Sequence, residues 1–181
     1  MRKFSDIEKK YQLKNLLRSS RGYMYVFKPA LKGKMVIRHF NGELKPKFTQ
    51  VFAEIIERIN QWVVSHKLLH EYVEVELVEE VGEDFIILPF HKYYTSLSAI
   101  EEWDEDIIPK ELEFMRNLLR SEIGNPENEK EEIIQEILVR SLLESSGKTW
   151  FNETNHKFII TEPRITQEHL EKWSNLSNEQ S

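Results

Sequence analysis

Between Tyr11 and Asn41 the chain runs YQLKNLLRSSRGYMYVFKPALKGKMVIRHFN, and this stretch narrows the choice of fold more than any other. Three short apolar runs, YQLKNLL, YMYVF and MVIRHF, are separated by RSSRG and by a segment containing Lys32-Gly33. Glycine tolerates positive φ in a tight turn, so Lys32-Gly33 between apolar runs is a hairpin signal. The stretch predicts three short antiparallel strands in a meander, with a phosphate-sized loop between the first two. An ordinary antiparallel hairpin has the same local pattern. After Asn41-Gly42 and Pro46, residues Phe48, Val51, Phe52, Ile55, Ile56, Ile59, Trp62 and Val63 recur at helical spacing. They predict one long amphipathic helix over roughly 46–67 with a wide buried stripe. Ahead of the meander, Ser5-Asp6-Ile7-Glu8 has the Ser-x-x-Glu form of a capping box and predicts a short helix.

The remainder alternates strand and helix signals. Tyr72–Glu80 sets Val73, Val75 and Leu77 against Glu74, Glu76 and Glu79, a half-buried strand. Val81-Gly82-Glu83-Asp84 reads as its turn and Phe85–Leu88 as a buried partner strand. A linker through Tyr94 leads to a helix start at Thr95–Ile100. A helix over 107–119 follows, with Leu112, Met115, Leu118 and Leu119 in step. A second, over 129–145, turns Ile133, Ile134, Ile137, Leu138 and Leu142 inward, and Gly147 suits its C-terminal stop. Thr149–Phe151 and Lys157–Thr161 then flank a turn at Asn152–His156, a small hairpin.

This order of elements, with the phrases YQLKNLL and VFKPALKGKMVIRHF, resembles a protein-kinase fold over about residues 10–165. The resemblance implies an α+β fold: an antiparallel sheet with one long helix across it over residues 1–91, then a reduced helical lobe with a small hairpin over 92–181, forming one compact unit. It also places a nucleotide site. Its loop would be Arg18–Gly22, where only Gly22 remains of the glycines that let backbone N–H groups reach phosphates. Arg38 stands at the position of the strand-three lysine; it keeps the charge but forks differently. The glutamate that the following helix offers to that cation would be Glu57, 19 residues beyond Arg38, or Glu54. Both are also ordinary surface residues of an amphipathic helix. Leu88 falls at the gatekeeper position and Pro89–His91 at the hinge, with the Pro89 carbonyl and the His91 N–H able to meet an adenine. Glu162, in Glu162-Pro163-Arg164, stands where the family has the metal-binding aspartate of Asp-Phe-Gly.

The departures argue against phosphotransfer. Only Ser145-Ser146-Gly147-Lys148 separates the 129–145 helix from the strand at 149, where the family has a His-Arg-Asp loop and an Asn. The chain ends near Ser181, so the large helical part of the family's second lobe is not expected. The expected function is a catalytically inactive, pseudokinase-like regulatory protein acting through contacts with another protein. No cofactor is expected. Any ATP–Mg²⁺ binding is expected to be no tighter than about 100 μM, near −5.5 kcal/mol.

Charge offers a second class of function. The net charge is −6, yet residues 1–50 carry 13 Lys/Arg against 3 Asp/Glu, so the rest of the chain stands at −16. The basic residues are scattered and not interleaved with exposed aromatics, which argues against nucleic acid. The acidic half suits a small immunity or antitoxin-type protein that covers a basic partner. The absence of cysteine removes disulfides and thiolate metal sites. His66 and His70 are four apart but have no evident third ligand, so no metal site is expected. A nuclease built on Asp84 or Glu162 has no recognisable spacing. No apolar run approaches 18 residues and no signal-peptide core follows Met1, so a cytoplasmic protein without a membrane span is expected.

Overall fold

The computed structural model describes residues 1–19, 22–29, 33–90, 95–146 and 148–179, and of 15–19 and 22–23 the backbone alone. The fold is α+β. Helix α1 (Phe4–Lys10) starts two residues earlier than the Ser5–Glu8 pattern predicts. Its reciprocal cap runs from Lys3 to Asp6: the Lys3 N–H donates to Asp6 Oδ2 at 2.9 Å and the Asp6 N–H to the Lys3 carbonyl at 3.0 Å. Phe4 and Ile7, which α1 buries, fix that register.

The meander forms as β1 (Lys14–Ser19), β2 (Gly22–Phe27) and β3 (Met35–His39), paired antiparallel. The β1–β2 ladder runs to Ser19↔Gly22. Arg18 and Gly22 are therefore strand residues, and the predicted phosphate-sized loop shrinks to a two-residue connection whose members lie outside the described residues. Lys32 of the second turn also lies outside them.

Helix α2 (Thr49–Ser65), entered through a 3₁₀ turn at Pro46–Phe48, buries Phe52, Ile55, Ile56, Ile59, Trp62 and Val63. A single turn, α3 (Lys67–His70), follows. Here the predicted strand over Tyr72–Glu80 divides. Val73–Val75 is β4, and it pairs in parallel with a strand near the C-terminus, whereas β5 is Glu80–Val81 alone. β5 pairs antiparallel with β6 (Phe85–Pro89). Alternation in a sequence shows which side chains are buried but says nothing about the partner strand. Leu77, expected inside, lies between the two short strands and is exposed. Gly82 in the β5–β6 turn is obligatory, because a Cβ there would sit 2.1 Å from the Phe85 ring.

The first sheet has the order β1-β2-β3-β6-β5. Its central strands β3 and β6 are covered on both faces, which explains why they are largely apolar, Arg38 and His39 excepted. Met35, Ile37, Phe85 and Ile87 pack with Phe4 and Ile7 of α1. The alternating residues Ile86 and Leu88 join the core built around α2. The same alternation turns Val36 and Arg38 away from α1.

The second half supplies β7 (Thr95–Ser96), α4 (Leu97–Ile100), α5 (Lys110–Glu122) and α6 (Glu129–Leu138). Asn128 caps α6 by accepting the Glu131 N–H at 2.9 Å. A π-helical turn at Val139–Leu143 extends α6, and the chain leaves it through Ser145 at φ 52°. The predicted stop, Gly147, lies outside the described residues. The predicted hairpin is β8 (Lys148–Asn152) and β9 (Lys157–Glu162). It is the centre of a mixed sheet of order β4-β9-β8-β7. Helix α7 (Gln167–Glu179), not predicted, buries His169, Leu170 and Trp173 against the main core. Each fully buried large apolar side chain of that core contributes about 1.5–3 kcal/mol. No helix among the described residues is long and apolar enough to cross a membrane.

Candidate functional site

Sheet alternation carries Arg38 inward from β3, in cross-strand register with Met24 and Ile86. A buried guanidinium needs an acceptor close by. Glu162, the last residue of β9, provides it: Arg38 Nε lies 2.6 Å from Glu162 Oε1, and the two side chains are 2% and 3% exposed. Lys148 is the residue directly opposite Glu162 in the β8–β9 ladder. Its Nζ stands 3.6 Å from Glu162 Oε2 and touches Met24 Sδ at 2.6 Å. Two cations thus bracket one carboxylate where the two sheets meet.

The strand end that presents Glu162 is anchored. The Arg164 N–H donates to Ser141 Oγ at 3.1 Å, and Thr149 Oγ1 donates to the Ser141 carbonyl at 3.1 Å. Ser141 sits in the π-helical turn, so the widened turn at the end of α6 ties β8 and the segment after β9 together.

Beside this cluster lies a mostly apolar cleft with a cavity volume of about 120 Å³. Met24 and Val36 line it from the first sheet, Leu88, Pro89 and Phe90 from the end of β6, and Lys148, Trp150, Thr161 and Glu162 from the second. The Trp150 indole N–H donates to Thr161 Oγ1 at 2.9 Å, and that hydroxyl donates to the Lys148 carbonyl at 3.2 Å, which fixes the indole in the wall.

Of the residues singled out in the sequence, Arg38, Leu88, Pro89 and Glu162 come together here. Glu57 does not. It is exposed and lines a separate groove on α2 with Gln50, Ala53, Glu54, Ile56, Leu77, Val78 and Val81. The expected Arg38–Glu57 pair is replaced by Arg38–Glu162. The reason is helical phase: Phe52, Ile55, Ile56 and Ile59 take the inward face of α2, which turns Glu57 and Glu54 to the rim. Gly22 lies at the start of β2 as a pairing residue. His91, Arg21 and the Arg18 side chain lie outside the described residues. His66 and His70 have separate partners, the Trp62 carbonyl at 2.6 Å and the Val73 carbonyl at 3.3 Å. Lys148, Trp150 and Thr161 were not anticipated. The regular hairpin register would set Lys148 opposite Thr161, and only the bulge between Lys148 and Thr149 brings it opposite Glu162.

The donor set does not fit Mg²⁺. That ion takes near-octahedral oxygen ligands at about 2.0–2.1 Å. Glu162 meets a protein cation at each oxygen, and the described residues contain no cluster of three or more His, Asp or Glu able to hold a metal. No family model matches this chain, and no curated protein matches it either.

Proposed function

We propose that this chain is a kinase-like, pseudokinase-type binding protein without phosphotransferase activity, which works through contacts with another protein. The observation that carries the reading is the Arg38–Glu162 pair. It joins a cation of the third strand to a carboxylate at the end of the late hairpin, beside a cleft walled by Leu88 and Pro89. In a kinase-like site such a cation serves phosphates and such a carboxylate serves metal. Here each neutralises the other. Phosphoryl transfer also needs a carboxylate to take the substrate proton and a second metal ligand. Residues 139–149 read VRSLLESSGKT, with Glu144 as the one carboxylate and no Asn.

The test is phosphate release and transfer with ATP, Mg²⁺ and a protein acceptor, compared with Glu162→Gln. No turnover above the variant is expected. Turnover that disappears in Glu162→Gln overturns the reading.

One feature favours the alternative class, an acidic immunity-type protein. The α2 groove sets exposed Glu54 and Glu57 beside the apolar Ile56, Leu77, Val78 and Val81, over a volume of about 480 Å³. Acidic side chains around an apolar floor complement a basic partner. Binding to a toxin encoded beside this gene, weakened by salt and by Glu54→Lys/Glu57→Lys, would select this class. A nucleotide-induced thermal shift would favour the kinase-like one.

A further inference from the structure

Helix α7 opens on an uncommon cap. In a capping box the residue before the helix is Ser or Thr, and the third helical residue is Glu or Gln, whose side chain reaches back to the cap N–H. Here the first partner is Thr166 and the second is His169. The His169 N–H donates to Thr166 Oγ1 at 3.2 Å, and the Thr166 N–H donates to His169 Nδ1 at 3.1 Å. Ile165 and Leu170 stand at the two positions of a hydrophobic staple, and both are fully buried in the main core.

An imidazole differs from the side chains it replaces, because Nδ1 accepts a hydrogen bond only while it carries no proton. The ring proton therefore sits on Nε2, which faces Glu136 Oε2 of α6 at 3.5 Å, and the His169 side chain is 6% exposed. A proton added at Nδ1 would set one N–H against another in a buried place. It would also put a cation in the first turn of α7, the positive end of the helix dipole. The charged groups around the ring are Glu136 of α6, Arg140 of the π-helical turn and Glu168 of α7 itself. Burial, helped by Arg140, outweighs the two carboxylates and holds His169 below its ordinary 6.5.

We propose that the Thr166–His169 cap is a proton-operated clasp: neutral His169 keeps α7 on the core, and protonation of the ring releases it. Release uncovers Leu170 and Trp173, which are fully buried when the clasp is closed. The open helix takes up its proton at the ordinary value and the closed one only below it. Closure is therefore complete above the ordinary value and weakens as pH falls through the folded one. Neither Thr166 nor His169 lines the cleft, so the outcome of a phosphate-transfer assay does not bear on the clasp.

Hydrogen exchange on the full chain, read by mass spectrometry at about pH 7.5 and about pH 5.5 and corrected for intrinsic rates, tests it. About one unit below the ordinary value, linkage allows up to about tenfold more opening. Residues 166–176 should lose about five- to tenfold in protection at the lower pH, while α2 keeps its own. His169→Gln restores an acceptor that does not titrate, and it should hold α7 equally at both values. Thermal unfolding verifies that this variant folds; if it does not, the contrast between α7 and α2 in the parent chain decides alone. Equal protection of α7 at both values in the parent, an equal loss in α2, or the same loss in a folded His169→Gln would overturn the proposal.

Discussion

Two arginines pair with distant glutamates in opposite surroundings. Arg38 and Glu162 are 2% and 3% exposed, whereas the Arg116 and Glu101 side chains are 18% and 35% exposed. Arg116 also donates to the Leu142 carbonyl at 3.0 Å and to Ser145 Oγ at 3.1 Å, and Ser145 Oγ donates to Glu101 Oε1 at 2.7 Å. Its pair splints the exit of the π-helical turn to α4. The buried pair costs desolvation at both ends, so its net contribution is small while its rupture is severe. The exposed pair is screened by water, and its value lies in the hydrogen bonds grouped around it.

The largest expected effect follows from that contrast. Arg38→Met leaves Glu162 buried with one of its two cations gone and should destabilise the fold by about 3–5 kcal/mol in urea unfolding. Arg38→Met/Glu162→Leu should regain most of the loss, because matched apolar groups need no desolvation to be offset. A double variant no more stable than the single one would break the comparison.

Arg116→Ala comes next. It removes hydrogen bonds to a backbone carbonyl and a hydroxyl as well as a partly buried charge, and a loss of about 1–2 kcal/mol is expected from the same unfolding curves. A loss equal to that of Arg38→Met would show that exposure does not separate the pairs.

Acid sharpens the point. Burial pushes the Glu101 carboxyl up, but hydrogen bonds from Arg116 and Ser145 and the Arg116 charge outweigh it and hold the group below its ordinary 4.5. The unfolded chain then binds the proton more readily, so stability rises with pH. The contribution is complete above the unfolded value and is lost as pH falls through the folded one. Urea midpoints followed from about pH 6 to about pH 3 should fall less in Glu101→Gln than in the parent chain. Parallel curves would remove Glu101 from the account.

The smallest effect is expected at Glu57. Exposed on α2 and outside both pairs, it should change stability by no more than about 0.5 kcal/mol as Glu57→Ala. A larger loss would restore a role beside Arg38.

These residues also show what the sequence made legible. The α2 stripe and the β2–β3 hairpin were readable because each is a local periodicity. Arg38, Leu88, Pro89 and Glu162 were singled out from the order of elements along the chain, and the structure places them side by side. Glu57 failed because its distance along the chain matched while its helical phase did not. Lys148 escaped because cross-strand neighbours are set by register, which a bulge between Lys148 and Thr149 shifts. The division of 72–80 was hidden, since the partner of Val73–Val75 lies far along the chain. Helix α7 was within reach: Leu170, Trp173 and Leu176 are spaced by threes, and all pack on the core.

The parallel pairing of β4 has a consequence during synthesis. Val73 pairs with Phe158, 85 residues later. At about 5–20 residues per second, the ribosome takes about 4–17 s to deliver that partner after β4 has been made. Over that interval the first sheet can close its own ladders, but Val73 and Val75 wait without theirs. The nascent chain therefore carries an open apolar edge until β9 has been made, and chaperone occupancy should concentrate on that edge.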